Sequence, residues 1–152
     1  MVRYGYSFDT KENMAKASGR SLSISTKYAV EICNNLRGKN LEKSKSFLKE
    51  IISLRRPLPI KRFTEGAGHK PGIGPGSYPV NASKEILRLL ESVTSNAQSK
   101  GLATGKLEII HMNAHRGSRI MKRSRQQGRS LKQTHVEIVV AEATVKKEER
   151  KK

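Results

Sequence analysis

Tryptophan is absent from this 152-residue chain, and cysteine occurs once, at Cys33. A lone thiol can form no internal disulfide and cannot by itself build a structural zinc site. Staples of either kind are therefore excluded, and a reducing compartment, the cytoplasm, fits best. Long apolar runs are also missing: the longest, Ile138 to Ala141, falls far short of the roughly 20 residues that a membrane helix needs. Met1 to Asp9 hold one Arg and no apolar stretch, which predicts no standard secretion signal. Asp9 is the single aspartate, so the paired carboxylates of a metal-dependent nuclease are hard to assemble. Aromatics make up 5% of the chain, and none follows Tyr78.

Cationic charge is what the chain has in quantity. Lys plus Arg number 31 against 13 Asp plus Glu, a formal net charge of +18. Self-repulsion of that size opposes the compact state, so a polyanionic partner, nucleic acid by default, is expected. The length suits one domain, which buries roughly two thirds of its unfolded surface.

Three helices are predicted. Ser25 stands where it can cap the first, with Ala29, Ile32, Cys33 and Leu36 at helical spacing and Gly38 as a left-handed stop. Asn40 can cap the second, striped by Leu41, Leu48, Ile51 and Ile52 and ended before Pro57. The third runs from Ala82 to Lys100, capped by Asn81, striped by Ile86, Leu89, Leu90, Val93 and Ala97, and closed by Gly101. All five prolines and five of the twelve glycines fall within Pro57 to Pro79, which predicts an irregular insert (56–80). It exceeds the usual connection length, so a function or an outside surface that orders it is implied.

After Gly105 the apolar period becomes two. Leu107 and Ile109, then Val136, Ile138 and Val140, read as two half-buried strands that pair antiparallel. Ser21 to Ser25, with Leu22 and Ile24, supplies a third strand, which a small sheet needs. The predicted class is α+β, three helices packed on a small three-stranded antiparallel sheet with a long protruding β-hairpin. Residues 144–152 read as a disordered tail.

Between Ile109 and Val136 no acidic residue occurs, whereas Arg116, Arg119, Lys122, Arg123, Arg125, Arg129 and Lys132 are basic. Joining two pairing strands, the segment reads as one hairpin (106–141) of about 17 residues a side, on the order of 50 Å long at about 3.3 Å per residue. A domain of this size is only about 30 Å across, so most of the arm is expected to project and to need phosphates to hold it. Arg outnumbers Lys there, which suits bidentate phosphate contact. Lacking aromatics, the arm is expected to read backbone and shape rather than to stack on bases. A solvated charged face or basic tail is the plain alternative, but flanking strands make the run an internal excursion. A helical arginine-rich motif over Ser118 to Gln127 is disfavoured, because Ile120 and Met121 give it no apolar stripe.

Other candidates reduce to ordinary roles. His111 and His115, four apart on a strand, stand more than about 12 Å apart by the rise, which argues against a shared zinc. The Gly-rich stretch from Gly66 to Gly76 lacks the Lys-Ser or Lys-Thr of a nucleotide loop, and its prolines remove backbone donors. Cys33 reads as a buried thiol, and Tyr28 and Phe47 as core edges.

Several runs have a familiar order. Ile24-Ser25-Thr26-Lys27-Tyr28-Ala29 and Leu36-Arg37-Gly38-Lys39 are followed by Glu91-Ser92-Val93-Thr94-Ser95-Asn96-Ala97, Gly101-Leu102 and Leu107-Glu108-Ile109. Lys122-Arg123, Gly128-Arg129 and Thr134-His135-Val136 complete the series. Together, over Ser18 to Glu142, they resemble the universal family of ribosomal protein twenty-two of the large subunit. The insert, with His69-Lys70, Gly74-Pro75-Gly76 and Tyr78-Pro79, resembles the archaeal and eukaryotic branch, the archaeal side of it in particular.

The resemblance implies a cytoplasmic structural protein of the large ribosomal subunit that binds ribosomal RNA and supports assembly. Its body would sit near the exit of the nascent-peptide tunnel, with the hairpin lining the tunnel wall. The implied partners are large-subunit RNA, neighbouring ribosomal proteins and the nascent polypeptide, with no membrane, small-molecule substrate, cofactor, metal or turnover. One domain (1–152) would then comprise a body (18–105 and 136–142), the insert, the hairpin and the tail. Arg20, Lys27, Arg37 and Lys39 would anchor the body to RNA, and Arg55, Arg56, Lys61, Arg62, His69 and Lys70 the insert. The tip nearest the tunnel would be Lys122, Arg123, Ser124, Arg125, Gln126, Gln127, Gly128 and Arg129. The rivals are a DNA-binding or chromatin-architectural protein and, less favoured, a small ribonuclease using His111 or His115.

Overall fold

A computed structural model describes residues 13–121, 123, 125 and 128–142. The expectations for the start and for the 144–152 tail lie outside these residues, as do Lys122, Ser124, Gln126 and Gln127 of the expected tip. In chain order the elements are β1 (Met14–Leu22), α1 (Thr26–Leu36), α2 (Leu41–Ile52), β2 (Leu58–Pro59), β3 (His69–Lys70), β4 (Gly74–Ser77) and α3 (Val80–Ser99). A 3-10 turn (Thr104–Lys106) leads into β5 (Leu107–Arg116), β6 (Ile120–Met121), β7 (Ser130–Leu131) and β8 (Thr134–Glu142). The α+β class and its three helices are those the sequence predicts.

The central sheet has the order β1-β8-β5 and is antiparallel throughout. All three helices lie over one of its faces, where Ala15, Ala17, Ile109, Met112, Ala114, Val136, Ile138 and Val140 join the helical stripes in one core. Most of the predicted stripe residues are buried, among them Ile32 and Leu36 of α1, Leu48 and Ile51 of α2, and Ile86, Leu90 and Val93 of α3, whereas Ile52 and Leu89 are only partly buried. Asn40 caps α2 as expected, its Oδ1 accepting from the Glu42 amide at 2.9 Å. Gly38, at φ +77°, turns the chain out of α1 in a conformation glycine adopts freely.

In strand and helix layout the structure departs from the sequence reading in five places. The third strand is β1, which begins at Met14 and shares only Ser21 and Leu22 with the expected Ser21 to Ser25. Its inward residues are Ala15, Ala17 and Gly19, small enough to let α3 pack close, so the strand carries little apolar signal. Helix α3 starts at Val80 and not Ala82: the carbonyl of Pro79 accepts from the Ser83 amide at 2.9 Å, which leaves Asn81 inside the first turn rather than at the cap. The insert is not wholly irregular, for β2, β4 and β3 form a small antiparallel sheet. Val139 is buried on the face of the sheet away from the helices, beside Met14 and Ala141, so the strand that contains it is covered on both sides.

The fifth departure is the reach of the hairpin. Most of β5 and β8 is wall of the body, not free arm, because Met112, Ala114 and Val136 are core residues. A register shift between Ile109 and His111 moves the inward positions of β5 from odd to even numbers, which hides the second half of the strand from a period-two reading. The shift occurs where Ile109 turns to the α1–α2 link instead, its carbonyl accepting from Gly38 at 2.8 Å and its amide donating to Lys39 at 3.0 Å. What leaves the sheet is the segment between Arg116 and Thr134, continued by the β6–β7 ribbon.

Candidate nucleic-acid interface

The basic side chains regroup across the three expected sets. Arg116 ends β5, Arg119 precedes β6 and Lys132 follows β7, so all three stand at the root of the ribbon. Lys27, from the first turn of α1, joins them around a cavity of about 320 Å³ that Phe63, Ser25, Thr26 and Gln133 also line. Among the described residues, no carboxylate lines this cavity. The end of α1 beside it has no acidic residue in its first turn and no side-chain cap, since Ser25 makes no capping bond. Its partial positive charge adds to that of the four cations. Thr26 Oγ1 instead meets Thr134 Oγ1 at 2.9 Å, fixing α1 to the start of β8.

Phe63 reaches this place through a buried acid that sequence reasoning overlooked. Glu31, on α1 and 3% exposed, accepts three backbone N–H bonds from the insert: Lys61 at 3.2 Å, Arg62 at 2.7 Å and Phe63 at 3.0 Å. A carboxylate that satisfies three consecutive donors fixes the loop firmly. Lys27 Nζ lies 5.6 Å and the Arg62 guanidinium 5.5 Å from the centroid of the half-buried Phe63 ring. The signal available in the sequence was the aromatic directly after Lys61-Arg62.

A second cluster forms around Phe47. Lys39 Nζ lies 5.3 Å and the Arg56 guanidinium 5.1 Å from its ring centroid. Burial, then repulsion from Arg56 and Lys61, lowers the Lys39 pKa from its usual value of 10.5. Arg56 also meets Glu50 at 3.6 Å. Elsewhere Lys70 lies over the Tyr78 ring at 5.3 Å, while Arg20, Arg55 and His69 are exposed. Arg37 serves the fold, its guanidinium donating to the Met112 carbonyl at 2.7 Å. Of the expected tip, Arg123, Arg125, Gly128 and Arg129 are described, and all are exposed.

The remaining candidates are structural. His111 and His115 do converge, contrary to the separation computed from strand rise: their Nε2 atoms lie 2.9 and 3.4 Å from the same Glu137 Oε1. Rise measures the backbone, and these long side chains lean toward one carboxylate on the neighbouring strand. Neither histidine lines the cavity, and among the described residues no group of three or more His, Cys, Asp or Glu is placed to hold a metal. Burial pushes the Cys33 thiol up to about 12, which leaves it unreactive. Phe47 is a core edge as expected, but Tyr28 is exposed, because the α1 stripe turns Ala29 and Ile32 inward instead.

The sequence profile described as ribosomal protein L22p/L17e matches residues 17–141. This chain belongs to that family. Among its relatives is large ribosomal subunit protein uL22 of Thermoplasma acidophilum, 40% identical over 122 residues, 80% of this chain and 81% of that one. The uL22 of Thermofilum pendens is 38% identical over 149 residues (93% and 99%), and that of Cenarchaeum symbiosum 38% over 153 (94% and 100%). The L22p/L17e match spans α1, α2, α3 and the β5–β8 hairpin, and with them every residue around the cavity.

Proposed function

We propose that this chain is a structural constituent of the large ribosomal subunit, cytoplasmic, held by ribosomal RNA and contributing no turnover. The observation that carries this reading is the convergence, in a member of a ribosomal protein family, of Lys27, Arg116, Arg119 and Lys132 on one concavity that no carboxylate among the described residues lines. Cations crowded in this way repel one another until phosphates enter between them. The Lys39, Arg56 and Lys61 cluster is a second anchor of the same kind, and the insert residues Arg55, Arg62, His69 and Lys70 add further polar contacts.

In this reading the body docks near the subunit surface, and the ribbon beyond Arg116 reaches inward to line the nascent-peptide tunnel. Its outer cations, Lys122, Arg123, Arg125 and Arg129, lie nearest the passing chain, while neighbouring ribosomal proteins cover what RNA leaves free. By tying distant RNA segments to one body, the protein supports subunit assembly. Sucrose-gradient sedimentation of a lysate in high salt, with the chain located by mass spectrometry, tests the proposal. Recovery near one copy per large subunit is expected. Recovery with DNA, or release as free protein at moderate salt, would overturn it in favour of a DNA-binding or chromatin-architectural role.

A further inference from the structure

We infer that the cavity at the root of the ribbon seats a single unstacked RNA nucleotide, its base on the Phe63 ring and its phosphate among Lys27, Arg116, Arg119 and Lys132. This deepens the RNA-binding reading and rests on it. The volume, about 320 Å³, is at the lower end for ligand sites; it admits one nucleotide and is too small for a stacked pair. Its cations come from α1, from the end of β5 and from the chain after β7, so a phosphate inside is met from several sides. Phosphate alone would need no aromatic wall. Phe63 is not a member of the hydrophobic core, yet it is held in place by the three backbone bonds to Glu31 around it.

A half-exposed ring, fixed in advance and with the Lys27 and Arg62 cations within 6 Å of its centroid, is what a base needs in order to stack with little ordering of the protein. A neighbouring hollow of about 200 Å³ shares Ser25, Lys27, Phe63 and Lys132 but is also lined by Glu31 and Glu65. Its carboxylates disfavour a phosphate, so the polarity of the site is set: phosphate toward Arg116, base toward the insert. The expectation that this protein reads only RNA backbone and shape came from the aromatic-free arm; the fold supplies the missing platform from the insert.

Two measurements test this with the full-length chain. Large subunits carrying the protein are irradiated at short ultraviolet wavelength and digested, and nucleotide–peptide adducts are mapped by mass spectrometry; an adduct at Phe63 is expected. In parallel, the affinity of the purified protein for large-subunit RNA is measured against salt. Phe63→Leu should bind roughly fivefold or more weakly with an unchanged salt slope, because a stack is lost and no cation is. Phe63→Tyr should restore binding, and Lys132→Ala should make the slope shallower. Thermal unfolding of each variant separates loss of fold from loss of stacking, and the adduct map needs no variant. Subunits that contain the chain but yield adducts only elsewhere, with Phe63→Leu binding like the unaltered protein, would overturn the inference. Absence of the chain from washed subunits would instead overturn the ribosomal reading, while the affinity series still decides whether Phe63 stacks on RNA.

Discussion

Glu31 is the residue on which the interface most depends without taking part in it. Its carboxylate replaces water for three amides of the insert, and hydrogen bonds to a charged group contribute roughly 1.5–3 kcal/mol each. Glu31→Gln keeps one acceptor oxygen but sets an NH₂ against the remaining donors. A loss of about 2–3 kcal/mol in urea unfolding is expected, with faster hydrogen exchange at Lys61, Arg62 and Phe63. Destabilisation with those amides still protected would place the anchor elsewhere. Lys39 gives a second test, one of pH. Its pKa is lowered by burial and by Arg56 and Lys61, so between that lowered value and the ordinary 10.5 the unfolded chain holds more protons than the folded one. Stability contributed by this group therefore rises with pH through that alkaline window, and below it the unfavourable contribution is constant. Lys39→Met should flatten the rise in denaturation curves taken across the window. It should also weaken RNA binding at neutral pH by one phosphate contact.

At the scale of elements, the junction between sheet and ribbon is set by Gly117, whose amide donates to the Gln133 carbonyl at 2.9 Å. A Cβ there would stand 3.0 Å from Gln133 Cβ and 3.1 Å from its carbonyl oxygen, and that backbone cannot swing aside as a side-chain tip can. Gly117→Ala should splay the strands where the cavity begins, destabilise the fold by about 1 kcal/mol, and lower RNA affinity more than its effect on stability accounts for. Calorimetry and filter binding on the same preparation compare the two. The elements that carry strong apolar stripes, α1, α2 and α3, were legible because burial on one face imposes a period on the sequence. Strand β1 was not, since alanine and glycine inside and lysine and serine outside form no hydrophobic contrast. The second half of β5 was hidden by the register shift at Ile110, and the insert sheet by strands too short to have a period. The hairpin cations could be named from charge alone, but their union with Lys27 and Phe63 could not: it depends on Glu31 pulling the insert to α1, a contact between residues about thirty apart in sequence.

For the whole molecule the governing quantity is the net charge of +18, and it acts with opposite sign on the free and bound states. In the free protein the Arg116, Arg119, Lys132 and Lys27 group and the Lys39, Arg56 and Lys61 group repel internally, and salt relieves that repulsion as the screening length falls from about 10 Å at 0.1 M to about 3 Å at 1 M. If RNA is bound as proposed, the same seven cations would displace condensed counterions, and salt would drive their return. The Tm of the free chain is therefore expected to rise on adding sodium chloride, while RNA affinity falls with a log–log slope of about −5 to −6 if all seven meet phosphates. Circular dichroism melts and filter binding over one salt series measure both. A slope near −1 would mean that the two clusters are solvated surface and that the chain is held to its partner by something other than the cations the fold gathers.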